Sequence, residues 1–155
     1  MTATPTSVER FKDQYSWLSN MHEFEGFVYG TLHFTSTESF YQAMKTTNFS
    51  DRKRISEMNG YDAKREGKKV ELRDDWDDIK DDVMLFALRL KFKNAKLRQK
   101  LLDTGDALLI EGNYHGDHYW GVCKGLGLNK LGLFIMQIRE EIRTGEINDS
   151  SKAAP

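Results

Sequence analysis

The 155 residues are 39% hydrophobic and 30% charged, with a formal net charge of −1, the profile of a soluble single domain with one core. No apolar run reaches the ~20 residues of a membrane span, and Met1–Ser7 lacks the apolar stretch of a signal peptide. The lone Cys123 excludes an internal disulfide framework, so a cytoplasmic protein without a membrane partner is expected. A global field that draws the chain to nucleic acid is excluded too, although a local basic surface is not.

Residues 1–10 and 146–155 read as disordered tails around a domain at 11–145, because they are small, polar and without periodicity. Tyr15–Asn20 reads as an aromatic-polar loop. Phe24–Gly30 reads as two short strands about a turn at Glu25-Gly26, where glycine supplies a positive φ. Thr35–Lys45 reads as a helix: Thr35 and Glu38 have capping-box spacing, and Phe40 and Met44 share a face. Asp51–Met58 and Tyr61–Lys69 are expected helices separated by the turn dipeptide Asn59-Gly60.

Asp77–Phe92 carries the clearest helical pattern, with Ile79, Val83, Phe86 and Leu90 in register, acids at its start and basic residues at its end. Asn94–Leu102 is a further helix that stops near Thr104-Gly105, and Leu108–Glu111 is a short buried strand. The last helix spans Lys130–Arg143, with Asn129 as N-cap and Leu131, Phe134, Ile135, Ile138 and Ile142 toward the core. The fold class is therefore α+β, a mainly helical single domain with a few short strands.

Glu38, Gln42 and Lys45 fall on one helix face at i, i+4 and i+7. They line a pocket with an acid, an amide and an amine, or else form a solvated face on which Glu38 only caps its own helix. Asp117 lies in Asn113-Tyr-His-Gly-Asp-His-Tyr-Trp-Gly121, a loop of side chains that hydrogen-bond and stack. Trp17, Trp76 and Trp120 all adjoin polar loops, so either they plug the core or one offers a face to a flat heterocycle. Gly125-Leu-Gly-Leu-Asn-Lys130 precedes a helix, so its N–H groups hold an anion or it is a tight turn. His115 and His118 lack the spacing of a zinc site. Lys64, Arg65, Lys68, Lys69 and Arg73 make a basic stretch, either a solvated face or a grip on a phosphate or nucleic-acid backbone.

In combination, certain of these residues resemble a known family. Leu18-Ser-Asn20, Glu38-x-x-Tyr41-Gln42-Ala43-x-Lys45, Ala63-Lys64-x-x-Gly67, Leu72-Arg73-x-x-Trp76, Lys80-x-x-Val83-Met84, Trp120-Gly121 and Gly127-x-Asn129-x-Leu131-Gly132 are similar, in this order, to the motifs of the NADAR (YbiA-like) family of N-glycosidases. The likeness runs from about Tyr15 to Arg143. It departs where Lys68 follows Gly67 in place of arginine, and where Phe40 replaces a tyrosine or histidine.

The resemblance implies an enzyme that breaks an N-glycosidic bond between ribose C1′ and an exocyclic amine of a guanine-type ring. The leading expectation is removal of ADP-ribose from ADP-ribosylated guanine in DNA, favoured by the basic stretch and by a lone domain. The alternative substrate is a ribosylamino-pyrimidinone phosphate of riboflavin synthesis. A different class is a non-catalytic module that binds an ADP-ribose-type nucleotide. The resemblance implies that Glu38, Asp117 and Lys45 act in catalysis, the carboxylates at a developing cation and a leaving nitrogen, with Lys45 either a Schiff-base nucleophile or a phosphate-binding cation beside direct attack by water. Substrate binding is expected from Trp76, Trp120, Gln42, Tyr41, Asn20, Arg73, Gly127 and Asn129. No metal or cofactor is expected, and the sequence leaves the oligomeric state open.

Overall fold

A computed structural model describes residues 4–146; the expected tail beyond residue 146 lies outside them. The elements in chain order are β1 (Ser7–Val8), a 3-10 helix (Asp13–Leu18), β2 (Phe27–Tyr29), β3 (Leu32–Phe34), α1 (Thr37–Ala43), α2 (Phe49–Ser56), α3 (Gly60–Gly67), α4 (Trp76–Lys91), α5 (Ala95–Asp103), β4 (Leu108–Leu109), β5 (Gly112–Asn113), β6 (Val122–Cys123) and α6 (Lys130–Thr144). The class is α+β and mainly helical, as the residue patterns predict. The chain divides into two compact units, one of residues 20–91 and one of residues 4–19 with 92–146. No helix among the described residues is long and apolar enough to cross a membrane.

The unit of residues 20–91 opens with an antiparallel hairpin in which Phe27 pairs Phe34 and Tyr29 pairs Leu32. Its two-residue connection is Gly30-Thr31, with φ +62° at Gly30, so the first central residue of the turn is the one that demands glycine. The hairpin therefore sits later than the expected Phe24–Gly30. Gly26, at φ +83°, is pressed against the Phe34 carbonyl, where an added Cβ would collide. Two glycines offered turns, and cross-strand pairing selected the second.

Behind the hairpin the aromatic rings form the core. Phe40 meets Phe27 at 5.5 Å, Tyr29 at 5.2 Å, Phe34 at 5.2 Å and Phe86 at 5.9 Å between centroids, within the range of attractive ring pairs. Helices α2 and α3 start at Asn48 and Asn59, whose side chains accept from the Asp51 and Asp62 amides. Asn59-Gly60, expected as a turn, is thus a cap and a first helical residue. Helix α4 lies where its period predicts, but its fully buried face is Trp76, Val83, Met84, Ala87, Leu88 and Lys91. Of the expected stripe, Ile79, Phe86 and Leu90 are half-buried. Leucine, methionine and phenylalanine occur on more than one side of this helix, so packing decides which side is sealed.

In the second unit, β1 and β4 pair in parallel, Ser7 with Leu108 and Val8 with Leu109. Val8 is 2% exposed, which corrects the expected tail at residues 1–10: the valine finds an apolar strand edge that its local sequence does not reveal. The expected loop at Tyr15–Asn20 contains most of the 3-10 helix and buries Trp17 and Leu18. Strands β5 and β6 pair in parallel, Gly112 with Val122 and Asn113 with Cys123. Helix α5 ends at Asp103 and Gly105 follows at φ +61°, matching the expected stop. Helix α6 buries Leu131, Ile135, Ile138 and also Arg139, whose Nη1 donates to Thr104 Oγ1 at 2.9 Å; Phe134 and Ile142 are half-buried.

Candidate active site

Helix α1 is only seven residues long, and all of them are buried. So short a helix needs tertiary support. Ser36 caps it: its Oγ accepts from the Ser39 amide at 3.1 Å. Asn20 clamps the same end, its carbonyl accepting from the Glu38 amide at 3.0 Å and its Oδ1 from Thr37 Oγ1 at 2.9 Å. The Asn20 amide group also reaches Met84 Sδ at 3.5 Å. The expected capping box of Thr35 and Glu38 is therefore one residue out. Serine repeats at 36 and 39, and the pair that closes on the helix end is the one that leaves the Glu38 carboxylate out of the cap.

Helix α3 approaches α1 through two glycines. A Cβ at Gly60 would lie 2.6 Å from Met21 Sδ and 3.2 Å from Glu38 Cβ, and one at Gly67 would collide with Gln42 Oε1. Both glycines are helical, so space rather than a positive φ requires them. They let α3 press Glu38, 8% exposed, and Gln42, 4% exposed, into fixed positions. The Gln42 Oε1 is sealed there.

Lys45 lies two residues past the end of α1, in a tight turn whose Lys45 amide donates to the Gln42 carbonyl at 3.2 Å. Its ammonium stands 5.7 Å from the centroid of Tyr41. Tyr41 in turn meets Trp76 edge to face at 5.0 Å. Burial pushes the Lys45 pKa below its ordinary value; Glu38 acts in the opposite direction, and Lys64, Lys68 and Lys80 push it further down. An amine so placed has a larger neutral, nucleophilic fraction than an exposed lysine.

Arg73 fastens the chain after α3 to this turn. Its amide donates to the Lys45 carbonyl at 2.8 Å, its Nη1 reaches the Met44 carbonyl at 3.5 Å, and its Nε and Nη2 hold both oxygens of Asp75 at 2.6 and 3.2 Å. The Asp75 carboxyl is held below its usual pKa by that arginine. Trp76, next in the chain, is 5% exposed. It has little ring surface to offer a base and serves as a wall behind Tyr41, so the core alternative describes it better. Within this unit the fold thus brings together Asn20, Glu38, Tyr41, Gln42, Lys45, Arg73 and Trp76.

The second unit carries Asp117, Trp120, Gly127 and Asn129. Asn113 organises their loop: its Oδ1 accepts from the Asp117 amide at 3.0 Å, and its Nδ2 donates to the Asp117 carbonyl at 2.9 Å. Asp117 Oδ1 accepts from the amides of Tyr119 at 3.0 Å and Trp120 at 2.9 Å, so one carboxylate oxygen is engaged in a turn. Trp120 is half-buried and packs edge to face on Tyr119 at 4.9 Å and Phe134 at 6.1 Å.

At the start of α6 the backbone is already bonded within the fold. The amides of Leu128, Asn129, Lys130 and Leu131 donate to the carbonyls of His118, Gly121, Tyr119 and Trp120, so these four N–H groups are engaged. Gly127 adopts φ +149° and its added Cβ would collide with the Gly121 carbonyl. Asn129 stands at the helix start in a left-handed conformation and makes no side-chain cap. Its Oδ1 instead accepts from the Glu111 amide and its Nδ2 donates to the Leu109 carbonyl, both at 2.9 Å. Gly127 and Asn129 thus tie backbone to backbone.

The sequence reading gave Thr37, Asn113, Gly60 and Lys80 no place among the site residues. Asn-Gly at 59–60 looked like a turn, and a threonine or asparagine holding a distant carbonyl has no local signature. Among the described residues no three His, Cys, Asp or Glu side chains group so as to hold a metal ion.

The chain is similar to known proteins over most of its length. The model of the NADAR domain matches residues 8–143 and so spans both units. The chain is 36% identical over 135 residues to the N-glycosidase YbiA of Escherichia coli (strain K12), covering 84% of this chain and 83% of that protein. It is 34% identical over 137 residues to a riboflavin biosynthesis protein of Vibrio vulnificus (strain YJ016), covering 84% of this chain but only 36% of that longer one. The NMR structure of E. coli YbiA superposes with a TM-score of 0.77 at 30% identity, covering 92% of each chain. With its motifs in order, its fold shared and nearly all of its described length matched, the chain belongs to the NADAR domain family.

Proposed function

We propose that the protein is an N-glycosidase that cleaves the bond between ribose C1′ and an exocyclic nitrogen of a guanine-type ring, acting in the cytoplasm on a small phosphorylated N-riboside such as a ribosylamino-pyrimidinone 5′-phosphate. The observation that carries this reading is the pairing, on one buried segment, of Glu38 with a lysine, Lys45, whose pKa is lowered by burial. A carboxylate stabilises positive charge that grows at C1′ as the bond to nitrogen breaks. The neutral amine of Lys45 attacks C1′, its nitrogen forms the new bond, and the base leaves with its electron pair and takes a proton from that nitrogen as a free amine; the C1′–O4′ bond then breaks, O4′ takes up the second N–H proton as the ring opens, and the lysine is left joined to C1′ as an imine. Water then adds to the resulting imine, releasing the sugar aldehyde and restoring the lysine. Net, one water is consumed per bond broken.

The riboflavin-type substrate is favoured over ADP-ribosylated guanine in DNA by the state of the basic stretch. Arg65 pairs with Asp62, Lys69 lies 3.8 Å from Glu66, and Arg73 holds Asp75. Three of its five cations thus have acidic neighbours, which weakens their claim on a nucleic-acid backbone. The name of the Vibrio relative points the same way. The deciding experiment incubates the protein with each substrate and follows free base and free sugar by mass spectrometry. Release from the ribosylamino-pyrimidinone phosphate alone is expected; release only from modified DNA reverses the preference, and release from neither removes the glycosidase reading.

A further inference from the structure

Asn20 stands at the start of α1 with its polar groups already engaged. Its carbonyl accepts from the Glu38 amide at 3.0 Å, its Oδ1 accepts from Thr37 Oγ1 at 2.9 Å, and its Nδ2 reaches Met84 Sδ at 3.5 Å. The sulfur fixes the sense of the amide: a thioether has lone pairs and no proton, so it takes the NH2 side and leaves Oδ1 for the threonine hydroxyl. Thr37 Oγ1 also lies 3.3 Å from the Asn20 carbonyl, so one hydroxyl ties both the side chain and the backbone of the asparagine to α1. Thr37 is 0% exposed and Met84 1% exposed, whereas Asn20 is half-buried. These contacts fall where a helix is weakest, because its first amides have no intrahelical acceptors. Here Ser36 Oγ serves the Ser39 amide and the Asn20 carbonyl serves that of Glu38. Glu38 is the second residue of α1, so its carboxylate goes wherever this first turn goes.

We propose that Asn20 is a positioning residue: locked by Thr37 and Met84, it fixes the turn that carries Glu38 and does not bind substrate. To serve as a substrate ligand the asparagine would have to turn its amide away from Thr37, which would strip a buried hydroxyl of its best acceptor. Held in place, the same amide keeps the first turn of α1 in one geometry, and a carboxylate acts on a growing cation only from a fixed position. The inference rests on the N-glycosidase reading for the reaction that Glu38 serves. It replaces the expected role of Asn20 as a substrate ligand and adds Thr37 and Met84, both sealed from solvent, to the machinery behind Glu38.

Thr37→Val is the central test, because valine keeps the shape, loses the hydroxyl and lies where no substrate reaches. Steady-state kinetics on the ribosylamino-pyrimidinone phosphate are measured beside melting curves for Thr37→Val, Thr37→Ser, Asn20→Ala and the Asn20→Ala/Thr37→Val double variant. Thr37→Val and Asn20→Ala are each expected to lose ~10-fold or more in kcat with KM nearly unchanged. Thr37→Ser keeps the hydroxyl and is expected to retain kcat, and the double variant to lose no more than the larger single loss. A raised KM with normal kcat in Asn20→Ala makes Asn20 a substrate ligand and overturns the proposal. So does a normal kcat in Thr37→Val, or losses that multiply in the double variant. If Thr37→Val does not fold, the division between kcat and KM in Asn20→Ala, whose side chain is half-buried, decides alone. Amide hydrogen exchange supplies a readout without turnover: exchange at Glu38 should quicken in Asn20→Ala relative to the middle of α4. Unchanged exchange at Glu38 overturns the clamp whether or not an N-riboside is cleaved, whereas quickened exchange in a protein that cleaves none removes the glycosidase reading and leaves the clamp standing.

Discussion

Gly67 of α3 and Gln42 of α1 touch so closely that a single added methyl on the glycine would collide with the amide oxygen. The same closeness, one turn nearer the start of α1, holds Gly60 against Glu38. Helix α3 therefore sets where the carboxylate and the amide stand. Gly67→Ala is expected to lower turnover on the N-riboside by ~10-fold or more, since misplacement by an ångström is enough to do so. Alanine is the better helix former by about 1 kcal/mol, so the helix itself gains. Unchanged turnover in the alanine variant would show that the contact is slack.

Glu38→Gln should fold normally and lose ~100-fold or more in kcat. Folding is expected to survive because Ser36, not Glu38, caps α1. Loss is expected because an amide cannot balance a growing cation. The check is steady-state turnover beside a melting curve, and near-normal kcat removes Glu38 from the chemistry.

Borohydride added during turnover should reduce the imine on Lys45 and leave a sugar-mass adduct. Peptide mapping locates it, and Lys45→Arg abolishes both adduct and turnover while it keeps the charge. A Lys45→Arg protein that still turns over would favour direct attack by water.

Stability should report on the same lysine. Its pKa is lowered from 10.5, first by burial and further by Lys64, Lys68 and Lys80, against the opposing pull of Glu38. A lysine with a depressed folded-state pKa binds fewer protons folded than unfolded, so its penalty is full below the folded pKa and fades as pH rises toward 10.5. Lys45→Met is therefore expected to stabilise the protein at neutral pH, with a gain that shrinks near pH ~10. Urea titrations at the two pH values test this, and a constant gain would contradict it.

Asp117 separates two roles by substitution. Asn retains an oxygen for the Tyr119 and Trp120 amides, whereas Ala removes it at a cost of about 1–3 kcal/mol. If Asp117 is purely a turn residue, Asp117→Asn keeps both stability and turnover. If its carboxylate also serves the leaving nitrogen, Asp117→Asn keeps stability and loses turnover. The aromatic pair divides similarly: Trp76→Ala should lower stability by about 3–5 kcal/mol as a core truncation, and Trp120→Ala should weaken substrate binding by about 1–3 kcal/mol if a base stacks there.

The sequence by itself determined the family, the α+β class and the span of α4, and it set Glu38 and Gln42 on one helix. Period, cap residues and motif order are local properties, and a short window of chain contains them. Tertiary structure decided the rest. Thr35 and Ser36 both suit a cap, and closure by Asn20 and Ser39 chose the second. Gly26 and Gly30 both suit a turn, and the Phe27–Phe34 pairing chose the later one. The amides of residues 128–131, at the start of α6, had N–H groups to offer an anion, until the carbonyls of residues 118–121 took them. In each case the local alternatives lie close in energy, and contacts with residues distant in the chain supply the difference.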